Sequence, residues 1–169
     1  DSFSDGARFT AADEAIAHAM AMVEAGAAIV DIGGESTRPG SEAIDSREEH
    51  DRVIPVLEGL RGGSSVVSID TRRAAIMSAG AKAGAQIIND VSALTFDDAA
   101  LSTAAETQLP VILMHAQGDP RTMQRNPTYD DVVLEVFDYL EGRIAACEQA
   151  GISRSRIVAD PGIGFGKTI

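Results

Sequence analysis

Five times along the chain a short apolar run closes on a single polar or ionisable residue, and a turn and helically spaced apolar positions follow. The runs are Ala28-Ile29-Val30-Asp31, Val66-Val67-Ser68-Ile69-Asp70, Ile87-Ile88-Asn89, Val111-Ile112-Leu113-Met114-His115 and Ile157-Val158-Ala159-Asp160. Continuous β-branched runs bounded by turns suit strands buried on both faces, as in a parallel sheet. Helices fall between them. Thr10 with Asp13 resembles a capping box, and Ile16, Met20 and Val23 form a stripe that stops at Gly26. Ser46-Arg-Glu-Glu49 fits a capping box better and opens a helix with Val53, Val56, Leu57 and Leu60 inward. Pro55 inside it predicts a kink or a late start. Further helical spacing covers about residues 72–83, 97–106 and 129–150. Alternation of this kind predicts α/β architecture with a parallel sheet, closed as a barrel or open and doubly wound.

A buried strand rarely tolerates a charge at its middle, but its C-terminal end opens onto loops and water. Asp31, Asp70, Asn89, His115 and Asp160 at five successive strand ends therefore predict one polar pocket at one end of the sheet. That is where α/β barrels place their chemistry, which makes the chain an enzyme candidate.

Bulk properties narrow the class. The 169 residues make one domain at most, and 44% hydrophobic with 24% charged residues is ordinary globular composition. A net charge of −12 excludes a nucleic-acid partner, which needs a basic face. An anionic substrate would need local cations. No run approaches the ~20 apolar residues of a membrane span. Cys147 ends the stripe Val133, Phe137, Leu140, Ile144, Cys147 and reads as a core thiol. A single cysteine forms no internal disulfide, which agrees with a cytoplasmic location.

Two motifs need weighing against simpler readings. His115 has no second histidine or cysteine at metal-ligand spacing, and His18 and His50 lie on helices, so it reads as structural or pocket-lining. Gly162-Ile-Gly-Phe-Gly-Lys-Thr168 resembles a nucleotide phosphate loop, but the place of its first glycine holds Pro161. Proline offers no N–H to a phosphate, and the nucleotide reading is rejected.

The most specific string is Asp31-Ile-Gly-Gly-Glu-Ser-Thr-Arg-Pro-Gly40. With Asp1-Ser-Phe-Ser-Asp-Gly6, Ser68-Ile-Asp-Thr71, Asn89-Asp-Val91, Met114-His115, Gly118-Asp-Pro120, Met123-Gln124 and Asp160-Pro-Gly-Ile-Gly-Phe-Gly-Lys167, it strongly resembles the dihydropteroate synthase family, in order and spacing across the chain. The resemblance implies a TIM (β/α)8 barrel that joins 6-hydroxymethyl-7,8-dihydropterin diphosphate to p-aminobenzoate and releases pyrophosphate. It implies that Asp70, Asn89 and Asp160 read the pterin edge, and that Asp70 also favours positive charge as the bond to diphosphate breaks. The segments matching Asp1–Gly6 and Glu35–Gly40 would be loops that close over the site. Phe3 and Pro39 would flank the p-aminobenzoate ring, with Thr37 and Arg38 near the diphosphate and Asp5 in the closed arrangement. Asp70, Arg38 and Asp5 are the catalytic candidates; Asp31 carries over only as a position by the pocket.

Magnesium on the substrate diphosphate, sulfonamides as inhibitors and a homodimeric parent enzyme are further implications. The family's metal asparagine falls before Asp1; its Ser-x-Lys segment and Arg-x-His pair fall beyond Ile169. Residues 1–169 thus read as a single partial pterin-binding domain, with about five of eight barrel strands and no expected synthase activity by itself. A corrinoid methyltransferase of the same pterin-binding group, or a catalytically dead scaffold subunit, are the alternatives; the Glu35–Gly40 loop argues against the first.

Overall fold

The computed structural model describes residues 2–36, 44–118 and 123–167, with residues 2–10 described by their backbone alone. Strands β1 (Ile29–Gly33), β2 (Val66–Asp70), β3 (Ile87–Asp90), β4 (Val111–Met114) and β5 (Ile157–Asp160) form one sheet in the order β1-β2-β3-β4-β5, every pair parallel. Between them lie α1 (Ser2–Glu24) ahead of β1, α2 (Ser46–Leu60), α3 (Ala74–Ala83), α4 (Ala100–Thr107) and α5 (Val132–Gln149). Strand order that follows chain order, with no reversal, is the winding of a barrel arc rather than of a doubly wound sheet.

Register explains which face each residue takes. One line across the sheet reads Ile32, Ile69, Ile88, Val111 and Ile157. These side chains meet the helices: Val53 and Leu57 of α2, Ile76 and Met77 of α3, Ala100 and Ala104 of α4 and Cys147 of α5 share their core. Each fully buried aliphatic contributes roughly 1.5–3 kcal/mol, so this layer holds the arc together. The next register line, Gly33, Asp70, Asn89, Ile112 and Val158, points to the opposite, inner face because side chains alternate along a strand.

Four expectations are corrected. Helix α1 starts at Ser2 rather than near Thr10, so residues 2–6 of the early motif are helical and not a loop, while Asp1 lies outside the described residues. Ala7, Arg8 and Ala11 favour that continuation, and Gly6 opposes it by only about 1 kcal/mol. On the same helix Ala19 is buried and Met20 is 56% exposed, so the inward stripe is Ile16, Ala19 and Val23. Helix α2 is capped by Asp45, whose Oδ1 accepts the Glu48 N–H at 2.8 Å, and it runs through Pro55 without a late start. On α5 the buried positions are Val136, Leu140 and Cys147, while Val133 and Phe137 are 73% and 60% exposed. The run Val132-Val133-Leu134 offers apolar residues at several phases, and packing against β4 selected a different one from the 4-3-4-3 stripe.

Candidate active site

The five strand ends open at one edge of the sheet, since all the strands run the same way. Asp70 and Asn89 are direct register partners, with Gly33 beside Asp70 on the other side. Gly33 is needed for space: a Cβ there would lie 3.2 Å from Asp70 Cβ and 3.3 Å from Asp70 Oδ2. Gly34 is similarly pressed, its would-be Cβ falling 2.9 Å from Val53 Cγ2 and 3.1 Å from Glu49 Cγ. The Gly-Gly pair therefore lets β1 lie close to a carboxylate and to α2.

Asp31 is not at a strand end. It sits in mid-β1 on the inner face, where Oδ1 accepts the Ser68 hydroxyl at 2.5 Å and Oδ2 accepts the Asn89 Nδ2 amide at 2.9 Å. Asp160 pairs with Met114, two register steps beyond the Asp70 line, and its Oδ1 accepts the Gly162 N–H at 2.7 Å. The His115 N–H donates to the Asp160 carbonyl at 2.9 Å, which ties the ends of β4 and β5. The structure thus brings Asp70, Asn89 and Asp160 to one edge.

Asp70 is strongly perturbed. Burial, then the charges of Asp31, Asp90 and Glu49, push its carboxyl up to about 7, with Arg72 opposing. Its Oδ1 is buried and has no hydrogen-bond partner among the described residues. A buried acceptor left unsatisfied costs about 1–3 kcal/mol, a cost that a ligand donor can relieve. Neutral imidazole suits His115, whose pKa burial lowers, with the Lys167 charge adding to the effect. Its ring packs edge-on against Tyr139 at 4.9 Å between centroids.

Behind this open edge lies a buried ionic network that the sequence reading missed, in which, of the buried polar atoms, only Glu35 Oε1 and Arg72 Nε lack a hydrogen-bond partner among the described residues. Arg73 Nη1 reaches both Glu35 Oε2, at 3.2 Å, and Glu49, and its Nη2 donates to the Ile44 carbonyl at 2.6 Å. Arg72 pairs with Glu35 at 2.8 Å and stacks 4.2 Å from the Phe96 ring centroid. The Thr71 hydroxyl donates to Glu49 Oε1 at 2.5 Å. Burial opposes ionisation of Glu35, yet the hydrogen bonds and charges of Arg72 and Arg73 hold its pKa below the ordinary carboxylate value. The available signal was two adjacent arginines after Ser68-Ile-Asp-Thr71 in an acidic chain.

Asp90, also missed, is fully buried; it accepts the Ser92 N–H at 2.7 Å, the Ser92 hydroxyl at 2.6 Å and the Leu94 N–H at 3.0 Å. Burial raises its pKa against those bonds. Lys167 is spent on the backbone, donating to the carbonyls of His115, Gly162 and Phe165 at 3.0–3.1 Å. A Cβ on Gly162 would meet the His115 carbonyl oxygen at 2.1 Å, so the glycine-rich loop is packed against β4 rather than cupped around an open anion site. Thr37, Arg38 and Pro39 lie outside the described residues, and of Phe3 and Asp5 only the backbone is described. Among the described residues no group of three or more His, Cys, Asp or Glu is placed to hold a metal ion, and no helix is long and apolar enough to cross a membrane.

Comparison with known proteins agrees with this geometry. A family model described as pterin binding enzyme matches residues 1–169. Dihydropteroate synthase of Escherichia coli (strain K12) is 50% identical over 170 residues, covering 100% of this chain and 60% of that protein. The enzyme of the same name from Haemophilus influenzae is 44% identical, and the chain covers 62% of it. Among solved structures, a sulfonamide drug complex of the Yersinia pestis dihydropteroate synthase matches with a TM-score of 0.89 and 46% identity, over 92% of this chain and 57% of that one. A Xanthomonas albilineans dihydropteroate synthase with 4-aminobenzoic acid matches with a TM-score of 0.86 and 46% identity, over 93% of this chain and 55% of that one. The chain thus spans about three fifths of these relatives, and its sheet and helices are an arc of their TIM barrel. Matched along its whole length, from the early Asp-Ser-Phe-Ser motif to the glycine-rich loop, the chain belongs to the pterin-binding enzyme family.

Proposed function

We propose that the protein carrying this segment is a dihydropteroate synthase, condensing 6-hydroxymethyl-7,8-dihydropterin diphosphate with p-aminobenzoate to give 7,8-dihydropteroate and pyrophosphate. The observation that carries the reading is Asp70: a buried carboxylate with an unpaired oxygen, beside the Asn89 amide, on the open edge of the sheet. The methyltransferase reading gives way because the two relatives compared above are dihydropteroate synthases.

A pterin presents a flat edge of ring N–H and amino donors next to acceptors. Asp70, Asn89 and Asp160 offer the complementary groups. Asp70 near neutrality is poised between its two states. Pterin donors favour the anion, and the anion then stabilises positive charge on the pterin as the C–O bond to diphosphate weakens. Diphosphate leaves with that bond's electrons, and the p-aminobenzoate nitrogen attacks the exposed methylene carbon and loses a proton. Thr37 and Arg38 are assigned to the diphosphate side, Phe3 and Pro39 to the p-aminobenzoate ring and Asp5 to the closed arrangement. Magnesium on the diphosphate, sulfonamide inhibition, a homodimer and a cytoplasmic location belong to the same proposal; no described side chain is assigned to the metal.

The test is steady-state kinetics of the complete enzyme. Asp160→Ala loses on the order of 2–4 kcal/mol of transition-state stabilisation, and Asp160→Asn recovers little of it although an amide oxygen can still accept Gly162 N–H. A change below about threefold sinks the assignment. In competition assays, substitution of Phe3 or Pro39 weakens a sulfonamide more than a pterin; equal losses contradict the ring placement.

A further inference from the structure

Asn89 can read a pterin donor only if its carbonyl end faces the ligand. An amide is nearly symmetric in shape but opposite in chemistry at its two ends, so something must choose its orientation. On the inner face, three adjacent strands supply that choice. The Ser68 hydroxyl on β2, itself only 2% exposed, donates to Asp31 Oδ1 on β1 at 2.5 Å. The other oxygen of Asp31 accepts Nδ2 of Asn89 on β3 at 2.9 Å. A carboxylate is acceptor-only, so the end of Asn89 that turns toward it is the donor end. The carbonyl end is thereby turned away from Asp31.

We propose that Asp31 is a positioning residue of the pterin slot, fixing the Asn89 amide with its carbonyl end presented to the ligand, while Ser68 holds Asp31 in place. This rests on the pterin reading above and assigns a role to the residue whose sequence gave only a position. Asp31 also acts on the neighbouring acid through space. The groups facing Asp70 are Asp31 from β1, Asp90 from β3, Glu49 from α2 and Arg72 from the turn after β2. Of the three anions, Asp31 raises the Asp70 pKa most and is the one exposed to the open face.

The experiment uses the complete enzyme, with 6-hydroxymethylpterin as the calorimetric probe and urea unfolding as the control. Asp31→Ala removes both acceptor oxygens and weakens pterin binding about tenfold, the scale of one hydrogen bond to a charged group. Asp31→Asn keeps one acceptor and removes the charge. It therefore retains more affinity, but the pH at which binding falls off moves toward acid, because Asp70 ionises more readily. A residue that only braced the sheet would not move that profile.

Asn89→Ala supplies the decisive cycle. In that background Asp31→Ala costs less than about twofold further, since no amide remains to be oriented. Fully additive losses, or an unmoved pH profile in Asp31→Asn, overturn the inference. If Asp31→Ala proves too unstable to assay, Ser68→Ala carries the decision: it frees Asp31 without changing charge and weakens the pterin about threefold, and wild-type affinity there counts against the chain of contacts. Failure of the underlying reading looks different. Asn89→Ala then binds the pterin as the wild type does, which overturns the slot together with its positioning residue.

Discussion

Glu49 and Asp70 are carboxylates withdrawn from water on either side of the end of β2, and they differ in how far their hydrogen bonding is completed. Glu49, with no exposed surface, receives the Thr71 hydroxyl on one oxygen and the Arg73 guanidinium on the other. Asp70 has a buried Oδ1 with no partner among the described residues, and its neighbours Asp31, Asp90 and Glu49 are all anions. Glu49, so completed, braces the fold, whereas Asp70, unsatisfied on the open edge among anions, holds a place for a ligand; Glu35 Oε1 is also unpartnered, but its other oxygen meets two arginines. The two regions test each other, because damage to the first should appear as instability and damage to the second as lost binding.

The largest effect belongs to the closed region. Arg73→Met removes the cation shared by Glu35 and Glu49, whose side chains are 7% and 1% exposed. Glu49 is then left with only the Thr71 hydroxyl and Glu35 with only Arg72, and the buried charge on Glu49 without its cation destabilises by about 3–5 kcal/mol, read as the urea unfolding free energy. Loss below about 1 kcal/mol would show that the network is dispensable and that water reaches both acids.

The open region predicts the opposite sign. Asp70→Asn replaces a carboxyl that burial and three anions disfavour. The folded pKa of Asp70, about 7, lies above the ordinary 3.8. As pH rises from about 4 to 7 the unfolded chain releases this proton while the folded chain keeps it, so the wild type loses stability across that window. The variant avoids that loss. It gains roughly 1–3 kcal/mol at pH 8 and nearly nothing at pH 3.5, while pterin binding falls by about tenfold or more. Equal unfolding free energies for the two proteins at both pH values would falsify the raised pKa.

This contrast also explains what could be read from the sequence. Strands were legible because Val66-Val67-Ser68-Ile69 and its counterparts are continuous runs that only a two-faced environment explains, and all five strands lie within a residue or two of their expected bounds. The open site was legible for the same reason, since Asp70, Asn89 and Asp160 interrupt apolar runs. The closed network was not. Glu49 sits at a spacing that capping boxes share, and nothing local distinguishes a cap from a buried hub 22 residues from the Thr71 hydroxyl it accepts. Asp97 is another long-range case: Oδ1 accepts the Ala99 N–H, but Oδ2 accepts that of Ala74, 23 residues away at the start of α3. Phase on α5 failed because adjacent apolar residues make several stripes available, and only tertiary contact selects one.

Lys167 gives the smallest effect and separates the two regions most finely. It lies in the glycine-rich loop beside Asp160, where a free cation would serve the diphosphate side of the open site. Its ammonium instead donates to three carbonyls, and burial lowers its pKa, so it belongs with the completed groups. Lys167→Met should therefore loosen the loop by roughly 1–2 kcal/mol, visible as faster amide hydrogen exchange across residues 160–167. Affinity for inorganic pyrophosphate should change less than about twofold, because no free charge is removed. A loss of pyrophosphate affinity above about tenfold, with exchange unaltered, would place Lys167 among the ligand-facing cations and move the boundary between the two regions.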